Sequence, residues 1–223
     1  LCNFQKNRWY IMVSQIKVDN VLESTSAAGV TIDGVLLKDS ELGSTYLSDG
    51  MVKLGSATAS NSADLVFDEI IDSSKYAFYK FYFYNIIAAT NAVDFCMTFR
   101  YGAGAGNIAA THYRGGVAVY PDKTGSTIFG NQSDSNFGRI TPGVRNDNIG
   151  AINAEGIFIP TTNSQGVPSI MVDNYYRNSS NYVRNQRTVH IIESNADAVT
   201  GVRFVMSSGN ISSGSIHIYG IKY

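Results

Sequence analysis

Tyr76-Ala77-Phe78-Tyr79-Lys80-Phe81-Tyr82-Phe83-Tyr84-Asn85-Ile86-Ile87 is the run on which the fold turns. Its odd positions Ala77, Tyr79, Phe81 and Phe83 are more apolar than its even positions Tyr76, Lys80, Tyr82 and Tyr84. Successive side chains of a strand point to opposite faces, so this alternation predicts a long strand with its odd face inward. The even face is partly polar, yet it carries a large aromatic area.

The same period of two continues on either side. Leu65-Val66-Phe67 precedes the run, and Phe95, Met97 and Phe99 alternate with Cys96, Thr98 and Arg100 after it. Val117 and Val119 alternate beyond the glycine-rich stretch 102–106, and further strand signals lie at 156–159, 169–172, 188–193, 202–206 and 215–219. Apolar residues spaced by three and four over three turns are missing, and only 73–75 and 195–200 could hold a helical turn. The sequence therefore predicts an all-β chain. The strand signals after residue 64 number roughly eight, the count of a jelly-roll β-sandwich.

Upstream lies a different kind of segment. Val30-Thr31-Ile32 and Val35-Leu36-Leu37 flank Asp33-Gly34, a dipeptide that tolerates the positive φ angles of a type I′ turn. They predict a hairpin. A two-stranded hairpin is marginal in water by itself. Val30, Ile32, Val35 and Leu37 thus need another apolar surface, and copies of the same segment in a homotrimer would supply it.

The run Glu23-Ser24-Thr25, then Gly29-Val30-Thr31-Ile32-Asp33-Gly34-Val35-Leu36-Leu37-Lys38-Asp39, resembles a segment near the N-terminus of many tailed-bacteriophage virion proteins of tail-fibre, head-fibre or decoration type. At the other end, Gly201 to Lys222 looks like the closing strand pair of the jelly-roll domain that such proteins often carry. The resemblance implies a virion structural protein, with self, other virion proteins and a host surface glycan or protein as partners. The family includes receptor binders and capsid decorations, so it implies no single role. Met12-Val13-Ser14-Gln15 reads like a natural start in such proteins, and residues 1–11 read as an upstream extension of different composition. The expected organisation is then an arm over 12–46 for trimerisation or docking, a Gly/Ser/Thr-rich linker or stem over 47–63 in which the alternation of Met51 to Leu54 allows one short strand, and a jelly-roll domain over 64–223.

Composition narrows the function. The net charge is −1 and only 16% of residues are charged, so no electrostatic grip on nucleic acid or on an anionic membrane is expected. Apolar stretches fall short of the ~20 residues of a membrane helix, so no membrane insertion is expected. Cys2 and Cys96 are far apart, and Cys96 sits in a strand pattern where a packed, inert thiol is expected. His112, His190 and His217 form no ligand pattern, so neither a metal nor a cofactor is expected. Gly102 to Gly106 joins two strands and opens no helix, which removes a phosphate-binding reading, and no Gly-x-Ser-x-Gly elbow presents a nucleophile. A glycan hydrolase would need two facing carboxylates; Asp134, Asp147, Glu155, Asp173 and Glu193 are available, and nothing in their spacing selects a pair.

The segment Asp173 to Asn185 concentrates Tyr, Arg and Asn, which together offer ring faces and amide or guanidinium donors for sugars. Lying between two strand signals, it is expected as an exposed loop. Tyr175, Tyr176, Arg177, Asn178, Tyr182 and Arg184 are the expected contacts with a receptor or with a neighbouring subunit. The stretch 130–139 has similar chemistry with fewer aromatics. The resulting expectation is a non-enzymatic virion surface protein that attaches to a host, with a capsid decoration protein as the first alternative and a carbohydrate-active enzyme as the second.

Overall fold

In the computed structural model, the described residues are 30–32, 35–38, 41–42, 50–101, 106–107, 113–119, 128–135, 137–160, 168–192 and 199–223. The chain divides into two compact units, Leu1–Leu47 and Ser48–Tyr223. In the first, β1 (Val30–Ile32), β2 (Val35–Lys38) and β3 (Glu41–Leu42) form a three-stranded antiparallel sheet in that order. Ile32 lies opposite Val35 and Val30 opposite Leu37, the register that a two-residue connection requires. The sequence anticipates β1 and β2; β3 is an addition. The turn residues Asp33 and Gly34 lie outside the described residues.

The second unit is a β-sandwich. Its strands are β4 (Met51–Ser62), β5 (Asp64–Phe67), β6 (Tyr76–Ala88), β7 (Val93–Tyr101), β8 (Gly106–Asn107), β9 (Tyr113–Val119), β10 (Ile128–Ser135), β11 (Gly138–Val144), β12 (Ile152–Ile159), β13 (Ser169–Arg177), β14 (Val183–Ile192), β15 (Val199–Met206) and β16 (Ile211–Lys222). Eight of them form one antiparallel sheet in the order β10-β9-β14-β13-β12-β6-β16-β4; β11-β7-β15-β5 form the other, with β8 added to β7. A 3-10 turn at Asn148–Gly150 is the single helical element among the described residues.

Several expectations need correction. Residues 51–62 of the expected linker form β4, an edge strand paired along β16. Its Gly, Ser, Thr and Ala are small because this strand is half exposed, and small polar residues read as a loop when the partner strand is far away in sequence. Among the described residues, the strands from residue 64 onward run from β5 to β16, twelve where roughly eight were expected. The closing strands expected at 201–222 are present as β15 and β16; they lie in different sheets, β15 in the smaller and β16 in the larger, and the chain crosses between them past Gly209 at φ +72°. The stretch 130–139 is mostly strand, in β10 and β11.

The expected inward face of β6 is observed as far as Phe83: Tyr79, Phe81 and Phe83 are buried. There the register shifts against both neighbours, because β6 carries one extra residue around Tyr84–Asn85, and Asn85 has φ +50°. Such a bulge reverses the faces. Ile86 and Ala88 then point inward. Asn153 Oδ1 accepts from the Asn85 N–H at 3.0 Å, and Gly214, at φ +114°, lies close enough that a Cβ there would be 2.6 Å from the Asn85 carbonyl oxygen.

The two sheets meet through aromatic rings. Phe204 of β15 is fully buried against Phe67, Phe81, Phe83 and Phe95, with ring centroids 6.3, 6.0, 5.1 and 6.0 Å away. Phe99 and Phe158 meet at 4.6 Å. Cys96 is buried as expected, and burial pushes its thiol pKa up, which leaves it unreactive.

At one edge of the smaller sheet, polar side chains do the joining. Inward-facing residues of β13 and β14 supply hydrogen bonds to the carbonyls of edge strand β11. Gln186 Nε2 donates to the Ile140 carbonyl at 2.7 Å and Thr188 Oγ1 donates to the same oxygen at 3.0 Å. Tyr176 Oη donates to the Pro142 carbonyl at 3.0 Å, and His190 Nε2 lies 2.8 Å from the Arg139 carbonyl. An edge strand with open carbonyls invites pairing with other chains, and these contacts occupy them.

Candidate functional site

The expected site at 173–185 is for the most part not a loop. Asp173 to Arg177 lie in β13 and Val183 to Asn185 in β14, paired in register across a short turn. Tyr176 is 5% exposed, and its hydroxyl is spent on Pro142; burial raises its pKa. It is a core residue and is removed from the site. Asn178 builds the turn: its side chain accepts from the Tyr182 N–H at 2.8 Å while its own N–H donates to the Tyr182 carbonyl at 2.9 Å. Arg177 Nη1 donates to Asn181 Oδ1 at 3.3 Å. Arg145, paired with Asp147, reaches the same oxygen at 3.0 Å and ties the turn to the β11–β12 connection. Tyr182 and Arg184 sit together, the guanidinium carbon 5.6 Å from the ring centroid. The alternation of β13 separates Tyr175 from Tyr176, and Tyr175, 56% exposed, points to the outer face of the larger sheet.

That outer face gathers the other candidates. Cross-strand register aligns His217 (β16), Tyr82 (β6), Glu155 (β12), Asp173 (β13) and Arg187 (β14) in one row. The adjacent row is Tyr219, Lys80, Ile157, Met171 and Val189. Around these, Tyr82 and Tyr84 stack with centroids 6.3 Å apart and planes 17° apart. Tyr219 meets Tyr82 edge-on at 5.7 Å, and His217 meets Tyr84 edge-on at 5.4 Å. Edge-to-face and stacked contacts of this kind fix ring orientation. Tyr84 is 48% exposed, so the cluster presents ring surface to solvent.

Beside the rings lies a small depression lined by Lys80, Glu155, Gly156, Ile157, Met171 and Asp173. Of the five carboxylates available in the sequence, Glu155 and Asp173 are thereby brought opposite each other. Both oxygens of Asp173 are engaged by Arg187, at 2.7 Å to Nε and 2.7 Å to Nη2. The pair therefore offers a fixed carboxylate–guanidinium fork and one further carboxylate, a set suited to hydrogen bonding with a ligand more than to proton transfer. Among the described residues, no three His, Cys, Asp or Glu side chains gather as a metal ligand set.

The outer face of the smaller sheet is chemically different. Arg203 pairs with Asp64 at 2.8 Å, Arg100 with Asp68, and Arg139 with Asp94 at 3.5 Å. Its charges are mutually satisfied, and it carries no comparable ring cluster among the described residues.

Sequence reasoning missed Tyr82, Tyr84, Lys80, His217 and Tyr219 as site residues. The signal was present in the even positions of the 76–87 run and the odd positions of 215–219. Only the pairing of β6 with β16, more than a hundred residues apart in sequence, turns two stripes into one surface. Comparison with protein-family models, curated proteins and solved structures finds no match to this chain.

Proposed function

We propose that the chain is a tailed-bacteriophage virion surface protein of tail-fibre or receptor-binding type, attaching to its host without enzymatic action. The resemblance of residues 23–39 supports the virion assignment. The strand order β4-β16-β6-β12 over β5-β15-β7-β11, with β9–β10 and β13–β14 as insertions that widen one sheet, supports the jelly-roll reading. The observation that carries the attachment role is the ring cluster on one exposed sheet face beside a fixed Asp–Arg fork. Aromatic rings partly open to solvent on a protein of net charge −1 are suited to recognition.

In this reading the N-terminal unit assembles copies of the chain, as a homotrimer, or docks them on other virion proteins, through Val30, Ile32, Val35 and Leu37. The sandwich faces the host. The test is to incubate the labelled full chain with cells of a bacterial host panel and, in parallel, with particles assembled without it. Saturable binding to cells is expected. Binding confined to particles refutes attachment and assigns the decoration role instead, and release of reducing ends from host polysaccharide refutes the non-enzymatic reading. Light scattering is expected to give three times the 24.2 kDa chain mass. Ile32→Asp should abolish that assembly by placing an unpaired charge in the contact.

A further inference from the structure

We infer that the outer face of the larger sheet is an extended subsite for a pyranose oligosaccharide, lying across β16, β6, β12, β13 and β14. The inference rests on the attachment reading and names the ligand class of that face. Its first support is the ring platform. Tyr82, Tyr84, His217 and Tyr219 are held by one another in stacked and edge-on contacts, and Tyr84 is the exposed ring of the four, so little side-chain freedom is lost when a sugar's C–H face settles against it. The second is the polar wall next to it. Lys80 and Glu155 make no ion pair among the described residues, while Asp173 and Arg187 form a rigid fork. Hydroxyl groups both donate and accept, and a wall that mixes ammonium, carboxylate and guanidinium answers both needs.

Charge separates this ligand from others. The row His217, Tyr82, Glu155, Asp173, Arg187 carries two carboxylates and one guanidinium, with Lys80 adjacent, so it offers no positive field for a polyanion such as nucleic acid. Size sets the length. Five neighbouring strands span four interstrand steps, about 19 Å at ~4.8 Å each, which exceeds a single sugar ring and suits a short chain of them. Rings at one end and the charged fork at the other give the chain a direction. Tyr175, facing outward on β13, extends the platform on the far side of the depression.

The experiment uses the full chain on an array of defined pyranose oligosaccharides, from monosaccharides to hexasaccharides, followed by titration of each hit while the ring-proton signals of His217 are recorded by NMR. Monosaccharides should fail to bind, and affinity should rise with length and level off near the tetrasaccharide. The His217 signals should shift with the same midpoint. Tyr84→Ala should weaken binding by up to about tenfold, the equivalent of one stacked ring, and Glu155→Gln should also weaken it. Val66→Ala, exposed on the smaller sheet, should leave binding unchanged. Unchanged melting temperature in Tyr84→Ala shows that loss of binding is not loss of fold.

Failure of the inference and failure of attachment are distinguishable. If the chain binds cells, no oligosaccharide binds and Tyr84→Ala leaves cell binding intact, the glycan subsite is overturned while attachment stands. If oligosaccharides bind with the expected length dependence and cells do not, the subsite stands and attachment is overturned. If Ile157→Asp lowers the mass in light scattering, the face is a contact between copies of the chain and the inference is overturned.

Discussion

Phe204→Ala should destabilise the sandwich by about 4 kcal/mol, within the ~3–5 kcal/mol observed for complete truncation of buried aromatic residues. Phe204 is fully buried and touches rings from both sheets, Phe67 and Phe95 from its own and Phe81 and Phe83 from the one opposite. Truncation removes the transfer free energy of a benzyl group and leaves a cavity that stiff strands on both sides cannot close. The four ring contacts would each add ~0.5–1.5 kcal/mol in isolation. They share one ring, so the sum is not additive and the middle of the range is the expectation. For a domain of the size of Ser48–Tyr223, about 4 kcal/mol lowers the melting temperature by roughly 8–16 °C. Urea unfolding followed by far-ultraviolet circular dichroism measures the difference, with Phe204→Leu as a companion that should cost less than half as much. A loss below ~1.5 kcal/mol for the alanine variant would refute the placement of Phe204 at the centre of the sheet–sheet interface.

Gly214→Ala should cost more than ~1 kcal/mol, because φ is +114° and the new methyl would stand 2.6 Å from the Asn85 carbonyl oxygen and 2.7 Å from Ile86 Cα. Normal urea stability in that variant would mean that the β6 bulge is not fixed by this contact. Tyr176→Phe should lower stability by about 1–2 kcal/mol through the unpaired Pro142 carbonyl, while leaving cell binding unchanged; a binding loss at full stability would return Tyr176 to the site. His190 gives a pH dependence. Its imidazole is buried, with Nε2 turned to the Arg139 carbonyl and Nδ1 without a hydrogen-bond partner, and burial holds its pKa below the ordinary 6.5. The unfolded chain therefore binds the proton first as pH falls. The stabilisation is complete above about pH 6.5 and declines below it, by at most ~1.4 kcal/mol per pH unit for one proton. Urea midpoints at pH 7.5, 6.5 and 5.5 should converge between the native chain and His190→Gln on acidification; parallel curves would exclude His190 as the linked group.

The sequence by itself determined the strand class. Alternation of Tyr79, Phe81 and Phe83 with Lys80 and Tyr82 is a local property of the chain, set by the two-residue repeat of extended backbone, and the structure places those odd residues in the core. The same reasoning failed after Tyr84, since a bulge depends on partner strands that occupy both sides of β6. Position 176 shows the limit from the other direction. Tyr175 and Tyr176 are equivalent as composition, and one points to solvent while the other bonds to Pro142 because their strand lies inside a sheet with one face buried. β4 was legible only at its start, where Met51 to Leu54 alternate: the small polar residues that follow form an edge strand only because β16 supplies the hydrogen bonds. The candidate site is a tertiary product altogether. Register between strands distant in sequence puts Tyr82 beside His217 and Glu155 beside Asp173, and a single sequence carries the stripes of each strand without the pairing that joins them.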